Sequence, residues 1–255
     1  MTVPITSGPA ASECRLQIDC QPIVQLIFNK TTAYDARIFL IADDVGQVPY
    51  KEFKPLAERT DMIIQLEQWI FKSSCRMALE MARKGTKFDY LSVNMSARYL
   101  KMDCCIPDLL DVLNETGVPS GKICLEILES DLEAQDGVID KLHELKREGF
   151  MIAVDDYSAV YMPLGRLDSV PADVIKLDKA LTGRIIADKK AEETTAAIIQ
   201  RAKGMKCEVI AKAIEDQRLQ YLLMALGCEK SQGAVDESMV ILPDFPVSET
   251  TSGER

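Results

Sequence analysis

The chain has 255 residues, 47% of them apolar, and a formal net charge of −10. That length suits one large α/β barrel, and the apolar share is enough to fill its core. The acidity argues against a nucleic-acid partner, whose phosphates call for a basic face, and a single histidine, His143, excludes His-rich metal centres and His-based triads.

Residues 1–13 are small, polar and proline-containing, and predict a disordered segment before a barrel domain over residues 14–246, with a second disordered tail over residues 247–255. Met1-Thr2-Val3-Pro4 lacks the basic head and apolar stretch of a secretory leader, and no run reaches the roughly 18 apolar residues of a membrane span, so a cytoplasmic protein without a membrane segment is expected. The eight cysteines form no CxxC pair and read as reduced core residues.

Two strand-like runs open the domain, Leu16–Leu26 and Thr32–Ile41, with no helix between them. One of the pair must therefore run antiparallel. A long helix comes next, with Met62, Ile63, Leu66, Trp69, Ile70, Ser73 and Met77 at helical spacing and an end near Gly85. Short apolar strands then recur at Tyr90–Val93, Ile123–Ile127, Met151–Val154, Val174–Leu177 and Glu208–Ala211, with a weaker one near Gly227–Ser231. Helices fall between them: one opens at Pro107 and stops before Gly117, and two more span Ala191–Lys203 and Ile214–Leu226. The alternation predicts a modified TIM-type (β/α) barrel with one antiparallel strand.

In such a barrel the strand ends converge at one mouth. Asn94, Glu126, Asp155, Asp156 and Lys176 each lie at or just past the end of a strand. Three carboxylates and an amide oxygen make a hard-oxygen set suited to Mg²⁺ or Mn²⁺. Any one of these acids alone reads as a surface residue, and Lys176 alone as a buried ion pair.

Seven segments in order carry a resemblance: Gln21-Pro22-Ile23-Val24, Phe53-Lys54-Pro55-Leu56-Ala57-Glu58, Val93-Asn94-Met95-Ser96-Ala97-Arg98, Leu125-Glu126-Ile127-Leu128-Glu129-Ser130, Ile152-Ala153-Val154-Asp155-Asp156, Ile175-Lys176-Leu177-Asp178 and Gln232-Gly233. Together they resemble the EAL domain, the barrel phosphodiesterase that cleaves cyclic di-GMP, over roughly residues 15–243. The resemblance implies metal ligands at Asp35, Asn94, Glu126, Asp155 and Asp156, an assisting lysine at Lys176, ligand-side glutamines at Gln21 and Gln232, and a loop-supporting acid at Glu215. It also implies two metal ions clamping an in-line displacement by water.

The departures are as informative. The name-giving Glu-Ala-Leu is Asp35-Ala36-Arg37. The arginine that contacts a ligand phosphate in relatives is Phe39, and Arg37, on the same strand face, is the nearest substitute. A Gly-Thr-Gly loop has become Ser158-Ala159-Val160, where Val160 resists positive φ and Pro163 stiffens the chain beyond it. Lys212 replaces a metal-binding acid. Its ammonium is expected against Asp155 and Asp156 unless the side chain turns to solvent. The expected outcome is one Mg²⁺ or Mn²⁺ position at most, the second lost, and no phosphodiesterase activity. The protein then works as a regulatory module through a protein partner or weak cyclic di-GMP binding, with homodimerisation through the altered loop open. The competing expectation is a residual one-metal phosphodiesterase. Schiff-base chemistry on either lysine is disfavoured, because acidic neighbours keep both protonated.

Overall fold

The fold is seen in a computed structural model that describes residues 14–42, 45–60, 62–134, 136–214 and 217–233. The segments read as disordered, 1–13 and 247–255, lie outside these residues, as does Glu215.

The chain runs β1 (Cys14–Gln25), β2 (Lys30–Ala42), β3 (Gly46–Pro49), α1 (Tyr50–Glu58), α2 (Met62–Arg83), β4 (Leu91–Asn94), α3 (Ala97–Leu100) and α4 (Cys105–Thr116). It continues through β5 (Ile123–Leu128), α5 (Glu129–Ala134), α6 (Val138–Arg147), β6 (Met151–Tyr157), β7 (Val174–Leu177), α7 (Lys179–Thr182), α8 (Lys189–Gly204), β8 (Glu208–Lys212), α9 (Gln217–Leu226) and β9 (Lys230–Gln232). Among the described residues the strand order is β1-β9-β8-β7-β6-β5-β4-β2-β3, and a β1–β2 pairing closes the ring into an eight-stranded mixed barrel. β1 is the antiparallel member, pairing so with both β2 and β9, while β2 runs parallel to β4.

Buried parallel strands explain the run of Val, Ile and Leu in β4 to β8, since they are covered on both faces. Ile23, Ala33, Tyr90, Cys124, Ala153, Val174 and Ile210 form a separate buried cluster. The larger core lies between strands and helices, where α2 contributes Ile63, Ile70, Phe71, Cys75, Met77, Ala78 and Met81. Gly117 ends α4 in the left-handed conformation (φ 75°), which a side chain would strain.

Among the differences from the sequence expectations, three concern the strands and the altered loop. β3 was not foreseen: its four residues, Gly46-Gln47-Val48-Pro49, have little strand signature and extend β2 beyond the barrel proper. β6 continues past Val154 to Tyr157 through an irregularity between Val154 and Tyr157. Among the described residues of the altered loop, the left-handed position is Ala159 (φ 61°) and not Val160, so the β-branched residue escapes the strain foreseen for it.

Candidate functional site

The barrel's register sets the height of each polar side chain. Asp35 on β2 pairs with Gln21 on β1 and with Ser92 on β4, and Asn94 lies two residues higher on β4, level with Glu126 on β5. Asp155 on β6 lies level with Leu128, two above Glu126. On the facing side Lys176 of β7 is level with Ile210, so Lys212 of β8 stands two residues nearer the rim, level with Gln232 of β9. The predicted residues therefore climb a staggered staircase around one mouth, as barrel shear requires.

Two ammonium groups organise it. The deep one is Lys176, 1% exposed. Its Nζ donates to Asp35 Oδ1 at 3.0 Å and forms a close ion pair with Glu126 Oε1. Burial works against its charge, but Asp35 and then Glu126 and Asp155 outweigh that and hold its pKa above the ordinary lysine value. One ammonium does not neutralise three acids, so burial and the Asp35 charge push the Glu126 carboxyl upward. Gln232 Nε2 donates to Asp35 Oδ2 at 2.9 Å and to Gln21 Oε1 at 3.0 Å, tying the last barrel strand to the first two.

The upper ammonium is Lys212. Its Nζ lies 2.8 and 3.1 Å from the two Asp155 oxygens and 2.6 Å from Asp156 Oδ1. Consecutive residues of a regular strand point to opposite faces. Asp155 and Asp156 converge on one group because the chain departs from regular pairing here and Asp156 takes a left-handed conformation (φ 50°), which aspartate tolerates better than most residues. Burial opposes the Asp156 charge, but Lys212 and then Lys51 hold its carboxyl below the usual range. Burial likewise opposes the Lys212 charge, and Asp155 and Asp156 raise it above the lysine norm.

Arg37 rises from the rim on the same face as Asp35. Its guanidinium carbon lies 5.4 Å from the Phe39 ring centroid and its Nη2 4.0 Å from Asp19 Oδ2. Two participants escaped the sequence reading. Lys51, at the start of α1, places Nζ 3.4 Å from Asp156 Oδ2, a contact across 105 positions with no local signal. Glu129, buried at the start of α5, accepts from Ser158 N (3.0 Å), Ser158 Oγ (2.9 Å), Tyr161 N (3.2 Å) and Met162 N (3.0 Å). It supports the loop after β6, the role assigned from sequence to Glu215. An acid just past a strand end in Leu128-Glu129-Ser130 was the available clue.

Asp35, Asn94, Glu126 and Asp155 are oxygen donors of the kind that Mg²⁺ or Mn²⁺ takes, but Lys176 and Gln232 bond the two Asp35 oxygens, Lys176 pairs with Glu126 and Lys212 bonds both Asp155 oxygens. A second ion on Asp155 and Asp156 does not fit, because Lys212 already bonds both Asp155 oxygens and one of Asp156. Among the described residues no three His, Cys, Asp or Glu groups gather as a metal cluster; the acids are spaced by the two ammonium groups.

The chain is 30% identical to the signaling protein YkoW of Bacillus subtilis over 86% of its length and 27% of that protein's. It is 28% identical to the oxygen sensor protein DosP of Escherichia coli over 74% of its length and 24% of that protein's. It thus spans about a quarter of these curated relatives. Its fold overlays the EAL enzyme Bd1971 in its cAMP- and cyclic-di-GMP-bound form with a TM-score of 0.79 at 26% identity, covering 86% of this chain and 60% of the other. It overlays the PaMucR phosphodiesterase in its c-di-GMP complex with a TM-score of 0.79 at 24% identity, covering 86% and 89%, a likeness of fold alone. The EAL domain model matches residues 9–235, and the chain belongs to the EAL domain family.

Proposed function

We propose that this EAL domain is a regulatory module of cyclic di-GMP signalling in which phosphodiesterase chemistry is silent. The supporting observation is Lys212, whose ammonium bonds Asp155 and Asp156 where two-metal chemistry needs a cation bridged by water. A fixed positive charge on those oxygens repels a divalent ion, and it supplies no water to attack phosphorus. The module acts instead through its mouth and the rebuilt loop after β6, by weak nucleotide binding or by a protein partner, a second copy of the chain included. Exposed Val160 and Tyr161 on that loop favour a contact role.

The second reading, residual hydrolysis with one ion, is favoured by the retained Asp35, Asn94, Glu126 and Asp155. An ion held by those four would polarise a phosphoryl oxygen. Lys176, already between Asp35 and Glu126, would position the deep acids.

Cyclic di-GMP incubated with the protein and Mn²⁺ is expected to give no linear dinucleotide. Losing one metal clamp costs on the order of a thousandfold or more in rate. Turnover at the level of active family members would overturn the proposal. Lys212→Glu separates causes: gained activity identifies this lysine as the main lesion, whereas an inert variant implicates Asp35 or the loop.

A further inference from the structure

The β1–β2 hairpin has two faces. Gln21 and Asp35 pair across it on the polar side, and Cys20 and Ala36, the next pair along, fall on the reverse side and are buried against α2. There α2 presents Met77 and Met81, one turn apart on one helix face. Cys20 Sγ lies 3.1 Å from Met77 Sδ and 3.9 Å from Met81 Sδ. The three residues are 2%, 6% and 2% exposed. Each of them alone is an ordinary core filler. Together they set one thiol against two thioethers, outside the oxygen-lined mouth and with no part in it.

The spacing suits a shared ion. Three sulfurs held at about 2.3 Å from one metal, the usual metal–thiolate length, stand about 4 Å from one another. The Met81 separation already has this value, and the Met77 separation reaches it by an opening of about 1 Å, which three rotatable bonds supply. The donors are soft, and soft donors select copper(I) over magnesium, calcium or manganese. Zinc calls for four ligands drawn from thiolate, imidazole and carboxylate, and only one of these is present. Charge also balances: one thiolate and one monovalent cation leave a neutral pair in the core.

We propose that Cys20, Met77 and Met81 form a binding site for copper(I). Binding exchanges the thiol proton for the metal: the S–H bond breaks, an S–Cu bond forms, two thioether lone pairs complete a trigonal set, and one proton leaves to solvent. No electron is transferred. Burial, and then Asp35 and Asp19, push the Cys20 thiol up to about 12. The same two carboxylates that hold the proton favour a cation in its place. The ion would clamp β1 to α2 on the reverse of the hairpin that carries Gln21 and Asp35.

Anaerobic titration of the reduced whole chain with the copper(I)–bicinchoninate complex tests it. The competitor keeps copper from isolated thiols such as the exposed Cys104. The chain is expected to withdraw one copper(I), and X-ray absorption at the copper edge should show sulfur neighbours alone. Cys20→Ala should abolish the uptake and Cys104→Ser should leave it unchanged. Met77→Leu and Met81→Leu, which conserve core volume, should each weaken it by about tenfold or more. Thermal melting without copper checks that every variant folds. No withdrawal, uptake that survives Cys20→Ala, nitrogen or oxygen neighbours at the metal, or an affinity unmoved by both methionine changes would each overturn the site. These readouts are independent of nucleotide binding and of turnover with Mn²⁺.

Discussion

Lys212 is a test of what one side chain holds in place. Replacing it by Met keeps length and removes charge, leaving Asp155 and Asp156 facing each other. Breaking a buried pair costs about 3–5 kcal/mol; Lys212 keeps 23% of its side-chain exposure, so a loss of roughly 2 kcal/mol in urea denaturation is expected. Added Mn²⁺ should raise the melting temperature of Lys212→Met more than that of the parent, since only the variant frees the Asp155 and Asp156 oxygens from the ammonium. Glu67 gives a pH signature. It is buried, and that burial pushes its carboxyl up to about 7, against donation from Ser96 and Tyr50. The folded state then holds a proton that the unfolded state has already released. Its contribution is complete below the unfolded value near 4.5 and declines as pH rises to 7. Stability should fall by about 3 kcal/mol at most across that window, and Glu67→Gln should flatten the profile.

Among the elements, the loop after β6 depends on Glu129. Glu129→Ala would orphan four donors at Ser158, Tyr161 and Met162, each costing about 1 kcal/mol or more where water does not replace the acid. Amide exchange should quicken across residues 158–162 while β5 and β7 stay protected; an unchanged loop would show that other contacts hold it. This loop also marks where the sequence stopped being readable. Strands β4 to β8 were visible because burial on both faces writes itself as continuous Val, Ile and Leu. The meeting of Asp155 and Asp156 at Lys212 was expected from the resemblance, but the backbone that produces it was not, because a left-handed aspartate inside a strand leaves no periodic trace. β3 was missed for a related reason: pairing, not composition, makes it a strand. Asp35, Glu126, Asp155, Lys176 and Lys212 were legible through motif order, whereas Lys51 is set by how α1 lies over the mouth.

At the scale of the whole molecule, an antiparallel first strand allows the barrel to close, and Gln232 couples that closure to the mouth through Gln21 and Asp35. The seam is thus both a structural joint and part of the polar lining of the mouth. No helix among the described residues is long and apolar enough to cross a membrane. The paired ammonium groups have one more implication. An oxygen-rich cup of this kind ordinarily borrows its positive charge from surrounding solution, so its state tracks whatever free magnesium the cell offers. Here two lysines are built into the chain, one low and one high in the cup, and the balance is fixed at translation. The arrangement of Asp155 and Asp156 about Lys212 should therefore be the same in magnesium-starved and magnesium-replete solution.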